Sequence, residues 1–202
     1  MSVKNIIFDF GCVLLHWDPL RVYTPYFGSE EKARWFIDNV CTMAWNSEMD
    51  AGKPFAQGIA EKIAQFPEWE KEIRMFKEQW IGMVGDEEPG MYDLELELRS
   101  RGWKLWGLTN WSRETFNLVK DRRVFTVLDG YLVSADVHLL KPSPEIFHCL
   151  LEKFGLEPSD CIFVDDNAAN VAGAQAVGIP AHLFIGVEEL RAWLAAIDPL
   201  HS

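Results

Sequence analysis

The chain has 202 residues, of which 49% are hydrophobic and 25% charged, and its formal net charge is −12 at pH 7. This balance is typical of a globular protein with a sizeable core and argues against disorder. The acidity argues against nucleic acid and anionic membranes as partners, because both require a basic surface.

The cysteines and the start of the chain predict a cytoplasmic protein. The four cysteines show no CxxC or other metal-ligand spacing, which favours reduced, buried thiols over disulfides or a metal site. The first apolar run is interrupted by Asp9 and no small-residue cleavage site follows, so no signal peptide is expected. No apolar stretch approaches the length of a membrane span.

The first predicted element is a buried strand in residues 5–15. The apolar run 6–8 ends on a carboxylate, Asp9, and is followed by Gly11. A continuous apolar run bounded by glycine is typical of a strand buried on both faces of a parallel sheet. Alone, Asp9 is typical of a turn or cap residue, although open α/β sheets bind their ligands beyond such strand ends.

Residues 16–88 are predicted to form an all-helical insertion. Asp18 with Pro19 is a helix start, with the aspartate as N-cap, and further helices are expected after Ser29 and from Pro54 and Pro67. Apolar residues recur there at helical spacing, and we interpret the aromatic stripes as core. The predicted division is a catalytic core of residues 1–15 and 89–202 around the insertion.

After residue 89, predicted strands alternate with helices. The strands are expected at residues 104–108, 127–133, 161–164 and 181–185. This alternation predicts an α/β fold, a Rossmann-like parallel sheet with right-handed crossovers and helices on both faces.

Polar side chains follow three of these later stretches. Thr109 and Asn110 follow one predicted strand, Lys141 precedes Pro142 in a loop, and the pair Asp165-Asp166 follows another strand. Alone, a lysine before proline is typical of a surface turn, and an acidic pair is typical of a helix N-cap. Together with Asp9, they indicate one site at the carboxyl edge of the sheet.

These four stretches, in this order and over nearly the whole chain, resemble the motifs of the haloacid dehalogenase superfamily, most of whose members are phosphatases. The motifs match, in order, Asp9, Thr109, Lys141 and the pair Asp165-Asp166. Asp9-Phe10-Gly11 together with residues 165–167 most resembles the bacterial sugar-phosphatase subgroup that includes α-D-glucose-1-phosphate phosphatase.

The resemblance implies a Mg²⁺-dependent phosphatase that acts on a small phosphorylated metabolite through an aspartyl-phosphate. The Asp9 strand would be central, the Thr109 and Asp165 strands would flank it, and the insertion would be a cap over the strand ends. Asp9 would be nucleophile and metal ligand. The implied protein ligands of the metal are Asp9, the Gly11 carbonyl and Asp166. Asp165 belongs to the same site but lies behind these ligands, where it would orient Lys141 or a metal-bound water. The implied phosphate-binding groups are Thr109, the Asn110 backbone and Lys141.

Gly11 departs from the family's pattern, which usually has a second aspartate there that protonates the leaving group. This loss argues against a phosphomutase and leaves two alternatives to the phosphatase. One is a dehalogenase acting on 2-haloacids, because dehalogenases of the family also lack that aspartate, although Asp165-Asp166 favours metal and phosphate. The other is a catalytically weak phosphate-binding protein.

Substrate recognition is less clearly marked in the sequence than the chemistry. Trp17, Trp45, Glu48 and Trp111 are candidates to face the cleft, and each is equally consistent with packing or surface. The sequence leaves open the exact substrate and the choice between a monomer and a small homo-oligomer.

Overall fold

The computed structural model describes residues 4–197 and contains two sheets. Its strands, in chain order, are β1 (Asn5–Phe8), β2 (Leu15–Trp17), β3 (Val84–Glu87), β4 (Lys104–Thr109), β5 (Gly130–Val133), β6 (Cys161–Asp165) and β7 (Ala181–Leu183). The larger sheet has the order β5-β4-β1-β6-β7, and all its pairs are parallel. The predicted α/β class is confirmed, and β1 is central between β4 and β6.

Helices connect these strands and form most of the insertion. In chain order they are α1 (Leu20–Phe27), α2 (Glu30–Asn39), α3 (Met43–Asp50), α4 (Phe55–Gln65), α5 (Glu70–Glu78), α6 (Trp80–Met83), α7 (Met91–Ser100), α8 (Arg113–Phe116), α9 (Arg123–Thr126), α10 (Ser134–Val137), α11 (Pro144–Phe154), α12 (Ala168–Ala176) and α13 (Val187–Ile197). Within residues 4–197, none of them is both long and apolar enough to cross a membrane.

The central strand is buried because both faces of the sheet are covered. Ile6 and Phe8 belong to the core cluster that continues into the insertion. Ile7, which points to the opposite face, belongs to a second cluster with Ile146 and Phe147 of α11. Alternate side chains of a strand point to opposite faces, so a continuous apolar run is what a doubly covered strand requires.

The insertion differs from its prediction in two respects. Leu15–Trp17 and Val84–Glu87 pair as an antiparallel ribbon where the chain leaves and re-enters the core, so strands flank the helices there. Helix α3 was not anticipated, although Thr42 is an N-cap whose hydroxyl accepts the N–H of Trp45. The helix starts at Ser29 and Pro54 are present. The Asp18 carboxylate accepts the N–H of Leu20, but the N-cap of α1 is Pro19, one residue later than predicted.

Two strands are shorter than predicted. Residues 127–129 form a turn after α9, in which the Leu128 N–H bonds to Phe125, so β5 begins only at Gly130. The last strand ends at Leu183. All four cysteines are free, as predicted, but only Cys41 and Cys161 are buried, because Cys12 is exposed and Cys149 is half-buried. The division into core and cap stays a prediction, and its outermost residues, 1–3 and 198–202, lie outside the described part.

Candidate active site

The carboxyl ends of three neighbouring strands bring the predicted residues together. Phe8, the last residue of β1, pairs with Gly107 on one side and Val164 on the other. The Asp9 N–H then donates to the Val164 carbonyl at 2.9 Å. Asp9 and Asp165 therefore lie side by side at the carboxyl ends of adjacent parallel strands.

Phe10 anchors the chain immediately after Asp9. Its ring packs against Phe116 and Phe125, with centroid separations of 5.8 and 4.5 Å. A Cβ on Gly107 would lie 2.4 Å from this ring, so the glycine makes room for it. This packing holds the backbone on both sides of Asp9 in place.

Lys141 connects the strand ends through its ammonium group. Its Nζ lies 2.7 Å from Asp9 Oδ1, 2.7 Å from Asp165 Oδ2 and 2.9 Å from the Leu108 carbonyl. The side chain is 1% exposed, and these three acceptors match its three donors. Lys141 is therefore a buried bridge and not a surface lysine.

The pKa values follow from burial and from this pairing. Burial raises the pKa of Asp9 to about 7, and the Lys141 ammonium opposes that rise. Burial lowers the pKa of Lys141, but Asp9 and Asp165 raise it above its ordinary value. A cation bound beside Asp9 would favour its ionised form further.

Asp165 is fully buried, and besides the Lys141 ammonium it accepts hydrogen bonds from neutral donors. The Asn167 N–H donates to its Oδ1 at 2.8 Å, and the Asn170 amide lies 3.0 Å from each oxygen. Asn167 caps α12 by accepting the Ala169 N–H, so the acidic pair is not the cap. Asp165 is placed to orient Lys141, and Asn170 is a contributor that no sequence motif revealed.

Three carboxylates form a cluster that fits a divalent cation. Asp9, Asp165 and Asp166 each offer an oxygen, and these atoms all lie within 4.8 Å of one another. Burial and the charge of Asp165 raise the pKa of Asp166. Carboxylate and carbonyl oxygens are the ligands that Mg²⁺ prefers, and Gly11 lines the same cavity. The donor set therefore fits the implied metal.

Asn110 fixes the loop that carries Lys141. Its amide donates to the Lys141 carbonyl at 3.0 Å and accepts the Lys141 N–H at 2.9 Å. The sequence pointed to the Asn110 backbone only, so this role of the side chain is new. Thr109, at the end of β4, is 1% exposed and lines the cavity.

The site opens into a cavity of about 440 Å³. Its core side consists of Asp9, Gly11, Thr109, Asn110, Trp111, Lys141, Asp166, Asn167, Asn170 and Thr115. Every predicted site residue except Asp165 is among them, and Asp165 lies buried behind. The volume is that of a small-molecule site.

The insertion supplies the other side of the cavity. Its contributions are Trp17, Met43, Asn46, Ser47, Asp50 and Trp80. Trp17 and Trp111 thus face the cleft, whereas Trp45 is buried with its indole N–H on the Gly58 carbonyl. Glu48 points to the surface and pairs with Lys53. Sequence analysis missed Asn46 and Asp50, whose i, i+4 spacing on a helix is the available signal.

Comparison with known proteins identifies the family. The profile of the haloacid dehalogenase-like hydrolases matches residues 3–178. A sesquiterpene phosphatase from Aspergillus oryzae is 31% identical over 180 residues, which are 88% of each chain. A D-ribitol-5-phosphate phosphatase from Bacteroides thetaiotaomicron is 23% identical over 179 residues, 84% of this chain and 85% of that one. A pyrophosphatase from Bacillus mycoides is 26% identical over 208 residues, 98% of this chain and 91% of that one.

The fold is also shared with solved structures. An enzyme of this family from Bacteroides thetaiotaomicron, solved as a magnesium complex, superposes with a TM-score of 0.74. The match covers 96% of this chain and 99% of that one at 20% identity. At this identity the likeness shows a common fold.

Proposed function

The chain belongs to the haloacid dehalogenase-like hydrolases, and from this premise we propose that it is a Mg²⁺-dependent phosphatase. Its substrate is a small phosphorylated metabolite, a sugar phosphate, and its reaction passes through an aspartyl-phosphate on Asp9. One observation carries the proposal. The buried Lys141 ammonium bridges Asp9 and Asp165 at 2.7 Å each, beside the three-carboxylate cluster.

The chemistry follows from these residues. The Asp9 carboxylate attacks phosphorus, the bond from phosphorus to the leaving oxygen breaks, and that oxygen takes its proton from water because Gly11 offers none. Water then attacks the acyl phosphate, which releases inorganic phosphate and restores Asp9. Lys141 supplies positive charge beside the phosphoryl group, and Thr109 and the Asn110 backbone donate to its oxygens.

A bound Mg²⁺ would supply the charge neutralisation that lets an anion approach a phosphate dianion. Asp9, the Gly11 carbonyl and Asp166 would hold it, and Asp165 would stand behind them. The magnesium complex of the structural neighbour supports this assignment. The phosphatase activities named for the relatives support the reaction class.

Among the predicted site residues, Gly11 is the one that favours a dehalogenase. Phosphatase and dehalogenase activity are therefore tested in the same experiment. Phosphate release is measured over sugar phosphates and nucleotides, with Mg²⁺ or with EDTA, and halide release is measured from 2-haloacids. We expect Mg²⁺-dependent phosphate release and no halide. Halide release that is indifferent to EDTA would contradict the proposal. Membership of the glucose-1-phosphate subgroup, a cytoplasmic location and the oligomeric state stay predictions.

A further inference from the structure

A buried carboxylate that the chemistry does not use lies in the cap side of the cleft. Asp50, at the end of α3, is 8% exposed and lines the cavity. The Asn46 amide donates to its Oδ2 at 3.0 Å. Burial raises its pKa to about 7, and within residues 4–197 no cation counters that rise. A carboxylate in this setting gains from a further hydrogen-bond donor.

Asp50 is fixed relative to the strand ends. Its carbonyl accepts the Ser134 hydroxyl at 2.6 Å, and the same hydroxyl accepts the Trp111 N–H at 2.9 Å. The next carbonyl, of Ala51, accepts His138 Nδ1–H at 2.8 Å. These bonds join the end of α3 to the core loops after β4 and β5. Asp50 therefore has a set position relative to the strand ends, in the same cavity as Asp9 and Lys141.

The cavity has no free positive charge for a second anionic group. Lys141 is the one lysine or arginine that lines it in the described part of the chain. Its three donors already meet Asp9, Asp165 and the Leu108 carbonyl. A phosphate or carboxylate on the leaving group would instead approach Asp50, where the described residues offer no cation to neutralise it and the ionised form of Asp50 repels it.

Three tryptophans form part of the remaining cavity wall. Trp17, Trp80 and Trp111 line the cavity, and the rings of Trp80 and Trp111 lie 5.5 Å apart. Apolar ring faces beside a few fixed polar groups suit a ligand with C–H surfaces and hydroxyl edges. Sugars and polyols have both.

We propose that Asp50, positioned by Asn46, is the specificity-determining residue of the cleft: it accepts hydroxyl groups of an uncharged, polyhydroxylated leaving group and rejects leaving groups that carry a second anion. This inference rests on the phosphatase reaction proposed above and names the class of phosphomonoester that the reaction uses.

The test compares two substrates with the same five-carbon chain, a pentitol 5-phosphate and n-pentyl phosphate, which carries no further hydroxyl. Wild-type protein should have a kcat/KM at least about tenfold higher for the pentitol phosphate. In Asp50→Asn, the ratio of kcat/KM for the pentitol phosphate to kcat/KM for n-pentyl phosphate should fall by about tenfold or more. The reason is that the amide replaces one acceptor oxygen with a donor. Asn46→Ala should shift the ratio in the same direction.

The pentitol bisphosphate provides the second readout. It should be a poor substrate of the wild-type protein. Asp50→Asn should reduce the difference in kcat/KM between the pentitol bisphosphate and the pentitol monophosphate. A merely structural role for Asp50 would lower all activities together and leave both ratios unchanged. Glu48→Gln is the matched control, because it removes an exposed carboxylate from the same helix, and it should leave both ratios at wild-type values.

The outcomes separate the two proposals. If none of the phosphate esters is hydrolysed, the proposed function fails. If n-pentyl phosphate is hydrolysed as well as the pentitol phosphate, or if folded Asp50→Asn keeps both wild-type ratios, the phosphatase stands and the role of Asp50 is overturned. Circular dichroism and thermal unfolding of each variant establish that it is folded.

Discussion

The two sides of the cleft hold buried carboxylates under opposite conditions. At the strand ends, Asp9 and Asp165 share the Lys141 ammonium at 2.7 Å each. On the insertion side, Asp50 accepts the Asn46 amide, and within residues 4–197 no cation pairs with it. A carboxylate that is paired with an ammonium group suits attack on a phosphate. A fixed carboxyl without a neighbouring cation suits hydrogen bonding to hydroxyl groups. In the proposed mechanism, chemistry and substrate recognition therefore depend on different elements.

The largest expected effect comes from removing the nucleophile on the strand-end side. Asp9→Asn is nearly isosteric but far less nucleophilic, so turnover should fall on the order of a thousand-fold or more while the fold persists. Initial rates of phosphate release measure this. Asp18→Asn is the matched control, because that exposed carboxylate only accepts the Leu20 N–H at the start of α1. Activity retained in a clean Asp9→Asn preparation would remove Asp9 from the chemistry.

Removing a proposed metal ligand should have the next largest effect. EDTA should silence the wild-type protein and Mg²⁺ should restore it. Asp166→Ala should raise the Mg²⁺ concentration for half-maximal activity more than Thr109→Ala does, because Thr109 is proposed to bind phosphate and Asp166 to bind the metal. The measurement is a Mg²⁺ titration of each variant. Equal shifts in both variants would count against Asp166 as a ligand.

Restoring a carboxylate at Gly11 should add general acid catalysis on the strand-end side. A Cβ there meets nothing within 4 Å, so the backbone accepts the side chain. Wild-type protein should prefer glucose 1-phosphate to glucose 6-phosphate, because an anomeric oxygen leaves more easily without a proton donor. Gly11→Asp should reduce the ratio of kcat/KM for glucose 1-phosphate to kcat/KM for glucose 6-phosphate by up to roughly a hundred-fold. A wild-type preference for the 6-phosphate in kcat/KM would refute this reasoning.

A fourth buried carboxyl, outside the cleft, shows what an unpaired acid costs. Glu95 on α7 is fully buried, and neither of its oxygens has a hydrogen-bond partner among residues 4–197. Burial, aided by the charge of Glu87, raises its pKa from 4.5 to about 9. The folded state therefore keeps a proton that the unfolded state loses, and the stability present below pH 4.5 is lost as pH rises toward 9.

Glu95→Leu should remove this penalty and stabilise the protein at pH 8 by about 1 kcal/mol or more. The measurement is urea unfolding of both proteins across pH. The stability advantage of the variant should shrink as pH falls from 8 toward 4.5, the pKa of the free carboxyl, and should level off below it. An advantage that does not change with pH would show that Glu95 does not titrate in this way.

The strand-end side was predictable from sequence because each residue follows an apolar run at a strand end. Asp9, Thr109 and Asp165 occupy such positions, and the parallel sheet alone brings them together. Lys141 needed the resemblance, since a lysine before proline has no distinctive local pattern.

The cap side was not predictable in the same way. Asn46 and Asp50 lie on a short helix whose buried residues, Trp45 and Met49, give little periodic signal. Their position over the cleft depends on the contacts of Ser134 and His138 with the end of that helix, and no local pattern encodes those contacts. Glu95 is similar, because its burial arises from the packing of α7 against α9 and α13.

The most direct test of the central claim is to trap the phosphoenzyme. Protein with Mg²⁺ and a radiolabelled aryl phosphate is quenched in acid within one turnover and digested with trypsin, which cuts after Lys4 and Arg21. Because Gly11 provides no base for the second step, the intermediate should accumulate and the aryl alcohol should appear in a burst. We expect acid-stable, hydroxylamine-labile label at Asp9 in peptide 5–21. Turnover without label there, or label that persists in Asp9→Asn, would contradict an aspartyl-phosphate mechanism.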